Sequence, residues 1–182
     1  MDWSTPKGIL RRGMSLERDG YLFYHQAAER ASDEHGRRMF LDLANQEEDH
    51  LKLLLSEYEA LETGRGWLPF ERAMESAPAV DAANPHLPGE EPPNPMPVFT
   101  PDRKVSLEGD IAALEFAMET ERISRELYAK GAQEAEDDFA GQAYQFLVNQ
   151  EEKHYRLLEN THAYLTQNQT WWDSEEYPFF IG

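Results

Sequence analysis

Two stretches of this chain, 104 residues apart, are nearly identical, and each contains Glu-x-x-His. The first is LANQEEDHLKLL, from Leu43 to Leu54, and the second is LVNQEEKHYRLL, from Leu147 to Leu158. The same offset carries Glu17 onto Glu121, Tyr24 onto Tyr128 and Ala28 onto Ala132. In each half a matched Glu precedes the Glu-x-x-His segment by 30 residues. Glu and His three apart lie on adjacent turns of one helical face, so both can reach a common point. A chain that supplies this set twice must bring two helical hairpins together around it. Six ligand-type side chains in this order suit two metal ions inside a four-helix bundle.

The spacing of apolar and small residues outlines those helices. Thr5 and Pro6 form an N-cap and first helical residue, and the first helix is expected over residues 6–31. Ser32 to Gly36 read as a short turn to an antiparallel neighbour. The second helix, expected over 37–62, carries Phe40, Leu43, Glu47, His50, Leu51 and Leu54 on one broad face, with Gly64 and Gly66 ending it. Ser106, followed by Glu108 and Asp110, reads as the start of a third helix over 106–134, and Asp137 and Asp138 as the start of a fourth over 138–166. Residues 65–104 are crowded with prolines that no regular helix accommodates, apart from a short helical turn around Phe70 to Glu75. Such a length suits a crossover between a second and a third helix that run the same way. The alternative is a disordered linker, but the aromatic residues and Val98 favour a strap packed on the bundle. The segment 169–182 gathers Trp171, Trp172, Tyr177, Phe179, Phe180 and Ile181, and is expected to cover one end of the bundle or a partner subunit. The whole span 1–182 is expected to form a single all-α domain.

Charge and cysteine usage narrow the chemistry. Acidic residues number 35 against 17 basic ones, for a net charge of −18. Nucleic acid and anionic membrane surfaces would be repelled, so neither is an expected partner. The chain has no cysteine. That excludes thiolate and iron–sulfur ligation, and any metal must be held by carboxylate and imidazole. No apolar run is long enough for a signal peptide or a membrane span, which makes a soluble cytoplasmic protein the expectation.

Carboxylates bridge metal ions through their two oxygens. Glu47 and Glu151 are therefore the expected bridges, with Glu17, His50, Glu121 and His154 completing the two ions; spacing does not fix which terminal Glu accompanies which His. All four glutamates fall on predominantly apolar faces. Buried there without cations, each ionised carboxylate would cost several kcal/mol. Iron, manganese and zinc all fit this donor set. Tyr24 and Tyr128 follow a proposed ligand by seven residues, on the same helical face. They are candidates for hydrogen bonding to metal-bound species or for electron relay, the alternative being paired core tyrosines. His25, His162, Glu48, Glu152, Glu115 and Glu119 are expected at the surface or around the ligands rather than among them.

With these residues in view, the chain resembles the rubrerythrin-type members of the ferritin-like diiron proteins. Glu17 with Tyr24, Glu47 to His50, Glu121 with Tyr128, and Glu151 to His154 carry the resemblance. It implies a ferritin-like four-helix bundle with a long crossover between helices 2 and 3. It also implies two iron ions in a non-haem site that reacts with peroxide or dioxygen, and a homodimer or larger homo-oligomer. Rubrerythrins usually carry a rubredoxin domain with four cysteines; this chain ends at Gly182 without one, so an external, rubredoxin-like electron donor is expected. Peroxidase-type members carry a further Glu one turn after the third-helix ligand. Here that position is Ser124, and its repeat partner is Gly20. The remaining six-ligand set is closer to an oxidase or ferroxidase centre, which makes ferroxidase or iron-storage activity the alternative function.

Overall fold

A computed structural model describes residues 4–77, 87 and 109–172. Among them the regular structure is entirely helical: α1 Pro6–Arg30, α2 Glu34–Glu62, the short α3 Phe70–Glu75, α4 Asp110–Glu134 and α5 Asp138–Asn168. None of these helices is long and apolar enough to cross a membrane.

Helix boundaries follow from local chemistry. Thr5 caps α1 by accepting a hydrogen bond from the Gly8 amide at 3.1 Å, with Pro6 in the first turn. Asp137 caps α5 through the amides of Phe139 and Ala140. Gln169 closes α5 in the left-handed region at φ 57. The ends expected at 31 and 166 differ from Arg30 and Asn168 only by fraying distance.

Two starts differ from the sequence expectation for physical reasons. α2 begins at Glu34, not residue 37, because Asp33 accepts from the His35 amide at 2.8 Å and nucleates the turn earlier. Gly36 is therefore helical and not part of a turn. α4 begins at Asp110 and not at Ser106, because Gly109 at φ 84 lies in a conformation no helix contains. Ser106, Glu108, Val98, Tyr177, Phe179, Phe180, Ile181 and most of the proline-rich crossover lie outside the described residues. Leu87, within that crossover, is buried in the main hydrophobic cluster.

Pairwise contacts fix the helix directions. α1 packs along α2, and α4 along α5, as two antiparallel hairpins. Glu17 and Tyr24 on α1 meet Tyr128 and Glu121 on α4 in reverse order, so α1 and α4 are antiparallel. α2 and α4 therefore run the same way. This is the ferritin-like arrangement. Its core is Leu10, Met14, Phe40, Leu43, Leu114 and Leu147 among others, all nearly inaccessible.

The first two aromatics of the terminal segment dock on their own chain. Trp171 donates its indole N–H to Asp110 Oδ2 at 2.8 Å, and the same carboxylate accepts from Ser32. Trp172 is buried and packs edge-on against Tyr164. The Trp171 ring covers Gly36 so closely that an added Cβ would lie 2.4 Å from it. A Gly36→Ala substitution should therefore cost about 1–3 kcal/mol, outweighing the roughly 1 kcal/mol that alanine contributes as a helix former. Denaturant titration with tryptophan emission checks this; an unchanged midpoint and emission maximum would contradict the packing of Trp171 on Gly36.

Candidate metal centre

One side chain on each of α1 and α4, and two on each of α2 and α5, converge halfway along the bundle. Glu17, Glu47, His50, Glu121, Glu151 and His154 are all buried. They form two overlapping quartets, Glu17–Glu47–His50–Glu151 and Glu47–Glu121–Glu151–His154, in each of which the donor atoms lie within 4.8 Å of one another. Glu47 and Glu151 are common to both. Glu17 sits with His50 and Glu121 with His154, a pairing that spacing alone leaves open.

The atom-level geometry is that of a site built to surround cations. His50 Nδ1 lies 3.3 Å from Glu17 Oε2, 3.3 Å from Glu47 Oε2 and 3.2 Å from Glu151 Oε1. A ring nitrogen carries at most one proton and cannot satisfy three carboxylate oxygens. Glu47 turns its other oxygen, Oε1, to His154 Nδ1 at 3.3 Å, and Glu121 Oε2 lies 3.4 Å from that same nitrogen. Glu47 thus offers one oxygen to each imidazole. Buried Glu121 Oε2, Glu151 Oε1 and His154 Nδ1 have no hydrogen-bond partner. Orphaned donor atoms of this kind, aimed at a shared point, fit divalent ions and are costly without them.

The surrounding side chains fix the orientation of this set. Tyr128 donates its hydroxyl to Glu17 Oε1, and Tyr24 donates to Glu121 Oε1. Each terminal Glu therefore keeps one oxygen on a tyrosine from the other hairpin and points the other inward. His154 Nε2 faces Gln46 Oε1 at 3.2 Å. A proton on Nε2 donated to that amide leaves Nδ1 free as an inward lone pair. The two imidazoles stack at 5.4 Å and 21°. Behind His50, Phe146 meets the ring edge-on and Phe70 of α3 packs on Phe146, an apolar cover with no counterpart at His154 among the described residues.

The residues set aside in the sequence do point away from the centre. Glu48 pairs with Lys52, and Glu152 with Arg125 and Arg156. His162 meets Glu115 at the surface, Glu119 pairs with Arg122, and His25 packs on the Tyr21 ring. The Phe70–Phe146 cover carried no distinguishing sequence signal, whereas Gln46 belongs to the repeated segment, in which Gln46 precedes Glu47 and Gln150 precedes Glu151.

Burial and crowding set the charge states. Burial, then the Glu47 carboxylate, push Glu17 up to about 8. Burial, then Glu121, Glu17 and Glu47, push Glu151 well above the usual carboxylate range. Burial alone would raise Glu47 too, but its close contacts with Glu17 and with both histidines hold it well below that range. Burial opposes charge on the imidazoles, yet carboxylate contacts raise His50 and His154 each to about 10. In the absence of metal the cluster holds protons where cations would otherwise sit.

The rubrerythrin family model matches residues 8–83, covering most of α1 and all of α2 and α3 and including Glu17, Tyr24, Glu47 and His50. No curated protein and no solved structure matches the chain. The rubrerythrin resemblance thus has independent support over the first hairpin. Through the repeat and the packing of α4 and α5, the second hairpin contributes the matching half of the cluster.

The metal-free protein should respond to pH in a direction opposite to the metal-loaded one. Glu17 has a folded value of about 8 against 4.5 in the open chain, and the histidines about 10 against 6.5. Between those limits the folded state holds more protons than the unfolded one, so its stability falls as pH rises. Metal must displace the same protons, so the stabilisation it adds grows with pH. Thermal melts with chelator and with added iron(II), at about pH 5.5 and about pH 8.5, should show the gap widening at the higher value. A gap that narrows would contradict a metal site at these groups.

Proposed function

We propose that this chain is a non-haem diiron oxidoreductase of the rubrerythrin type, reducing hydrogen peroxide or dioxygen with electrons from an external donor. The observation that supports it most strongly is the sharing of Glu47 and Glu151 between two Glu3His quartets. That is the donor arrangement two bridged ions require. Glu17 with His50 would hold one ion and Glu121 with His154 the other, while Glu47 and Glu151 bridge them. Iron held by these six side chains would supply the electrons that reduce an oxidant. Manganese and zinc suit the same donors, but the family match and the redox chemistry favour iron.

The remaining steps belong to the protein. Tyr24 and Tyr128 hold the terminal glutamates in place and can pass a proton to or from them. Gln46 sets the His154 tautomer. Phe146 and Phe70 exclude water from the His50 side, which strengthens charge interactions within the site. The single-domain reading, a cytoplasmic location, a rubredoxin-like donor and a homodimeric or larger assembly complete the proposal.

Iron-loaded protein should carry two irons per chain, and its reduced form should be reoxidised rapidly by peroxide or dioxygen. A Glu47→Ala variant should lose the metal together with the metal-dependent stabilisation, about 4 kcal/mol at a thousandfold excess of metal over Kd. Metal content equal to wild type in that variant would contradict the ligand assignment, and slow reoxidation by both oxidants would contradict the oxidoreductase reading.

A second reading, ferroxidase and iron storage, draws on Gly20 and Ser124. Neither supplies a further carboxylate: Gly20 lies against the Glu47 side chain, and Ser124 contributes only a buried hydroxyl. Size-exclusion chromatography after iron loading separates the two. A small assembly retaining two irons per chain supports the oxidoreductase, and a large shell accumulating more supports storage.

A further inference from the structure

A column of tyrosine and tryptophan rings leads from the cluster to the surface by way of Tyr128. Tyr128, whose hydroxyl is bonded to Glu17, stacks on Tyr144 with ring centroids 6.4 Å apart and planes at 22°. Tyr144 in turn meets Trp67 edge-on at 5.5 Å. Trp67 is only half-buried, and it lines with Tyr144 an open cavity of about 390 Å³ between the start of α1 and the α4–α5 turn. Two glycines make room for these rings. A Cβ on Gly13 would lie 3.0 Å from the Tyr128 ring, and one on Gly131 would lie 3.0 Å from the Tyr144 ring.

The internal repeat supplies a comparison within the same molecule. The 104-residue offset places Phe40 where the other half has Tyr144. Tyr24 stacks on Phe40 at 6.2 Å and 24°, close to the geometry of Tyr128 on Tyr144. The stacking is thus kept in both halves, but the chemistry is not. A phenyl ring has no acidic proton to release and is far harder to oxidise than a phenol or an indole. Packing requires only a ring at this position. The tyrosine is on the side whose next neighbour is a tryptophan at the surface.

We infer that Trp67, Tyr144 and Tyr128 form a one-electron relay between the surface and the metal centre. This rests on the diiron reading. Electrons enter singly, from a one-electron donor in solution. Tyr128, on losing an electron inward, passes its phenolic proton to Glu17 Oε1 and recovers it when Tyr144 reduces it. Tyr144 directs its hydroxyl at the Pro6 carbonyl, 3.4 Å away in the wall of the cavity. There it releases its proton and takes one back when Trp67 reduces it. Trp67 is then restored by the donor, so one electron and no net proton cross the relay per transfer. Ring centroids 5.5 and 6.4 Å apart permit each hop, since tunnelling decays steeply with separation.

The test uses the full chain, iron-loaded and reduced, mixed with excess hydrogen peroxide and no donor. The reduced centre supplies the two electrons that the first peroxide takes; with no donor present, electrons taken by further peroxide must come from the protein and should be drawn inward along the column. Peptide mass spectrometry should find Trp67 oxidised several-fold more than Trp171, which is also half-buried. Tyr144→Phe, which keeps the ring, should lower Trp67 oxidation several-fold at unchanged iron content. In Trp67→Phe, re-reduction of the oxidised centre by a one-electron donor should slow several-fold, while its reoxidation by peroxide keeps the wild-type rate. Trp67 oxidation that is independent of Tyr144, in wild-type protein that binds iron and reacts with peroxide, would overturn the relay alone. A wild-type protein that takes up no iron would overturn the diiron reading and the relay with it.

Discussion

Four carboxylates packed into the apolar middle of a helical bundle are the constraint around which this molecule is organised. Helices of this length could bury leucine at all four positions and be more stable for it. They bury glutamate instead, and the cost of doing so is met locally. Two imidazoles, two tyrosine hydroxyls and shared protons compensate part of the charge, and the orphaned donor atoms show that the compensation is incomplete. The residual demand is for positive charge at two points, each touched by three carboxylates and one imidazole. The fold serves that demand. The antiparallel pairing of α1 with α4 gives each terminal Glu a tyrosine from the opposite hairpin, and the long crossover lets α2 and α4 run in the same direction.

The two halves are similar in the ligands and different around them. Glu, Tyr and Glu-x-x-His repeat, and so do the tyrosine–glutamate hydrogen bonds between the hairpins. Outside that set the correspondence fails in a way that separates the two sides. His154 has a polar neighbour in Gln46, whereas His50 has the apolar cover of Phe146 and Phe70. Tyr128 continues into Tyr144 and Trp67, whereas Tyr24 ends at Phe40. Two matching ligand quartets thus sit in different surroundings, one imidazole beside a polar amide and the other beneath an apolar cover.

Much of this could be read from the sequence because the repeat is so regular. The offset of 104 residues fixed which side chains had to meet, and the apolar period fixed the faces on which they lie. Expectations were less successful where a contact joins residues that no local pattern links. Gly36 looks like a turn residue, yet the Asp33 cap places it inside the helix, and Trp171 occupies the space that a side chain there would need. Ser106 looks like an N-cap, but the backbone at Gly109 prevents a helix from running through it. The pairing of Glu17 with His50, the role of Gln46 and the ring column through Tyr144 depend on tertiary packing, which helical period does not encode.

The most direct test of the account is anomalous diffraction at the iron edge from crystals of iron-loaded protein. The account predicts two peaks inside the bundle, about 3.5–4 Å apart, with Glu47 and Glu151 touching both, Glu17 and His50 on one, and Glu121 and His154 on the other. A single peak, or iron bound only to the acidic exterior, would contradict it.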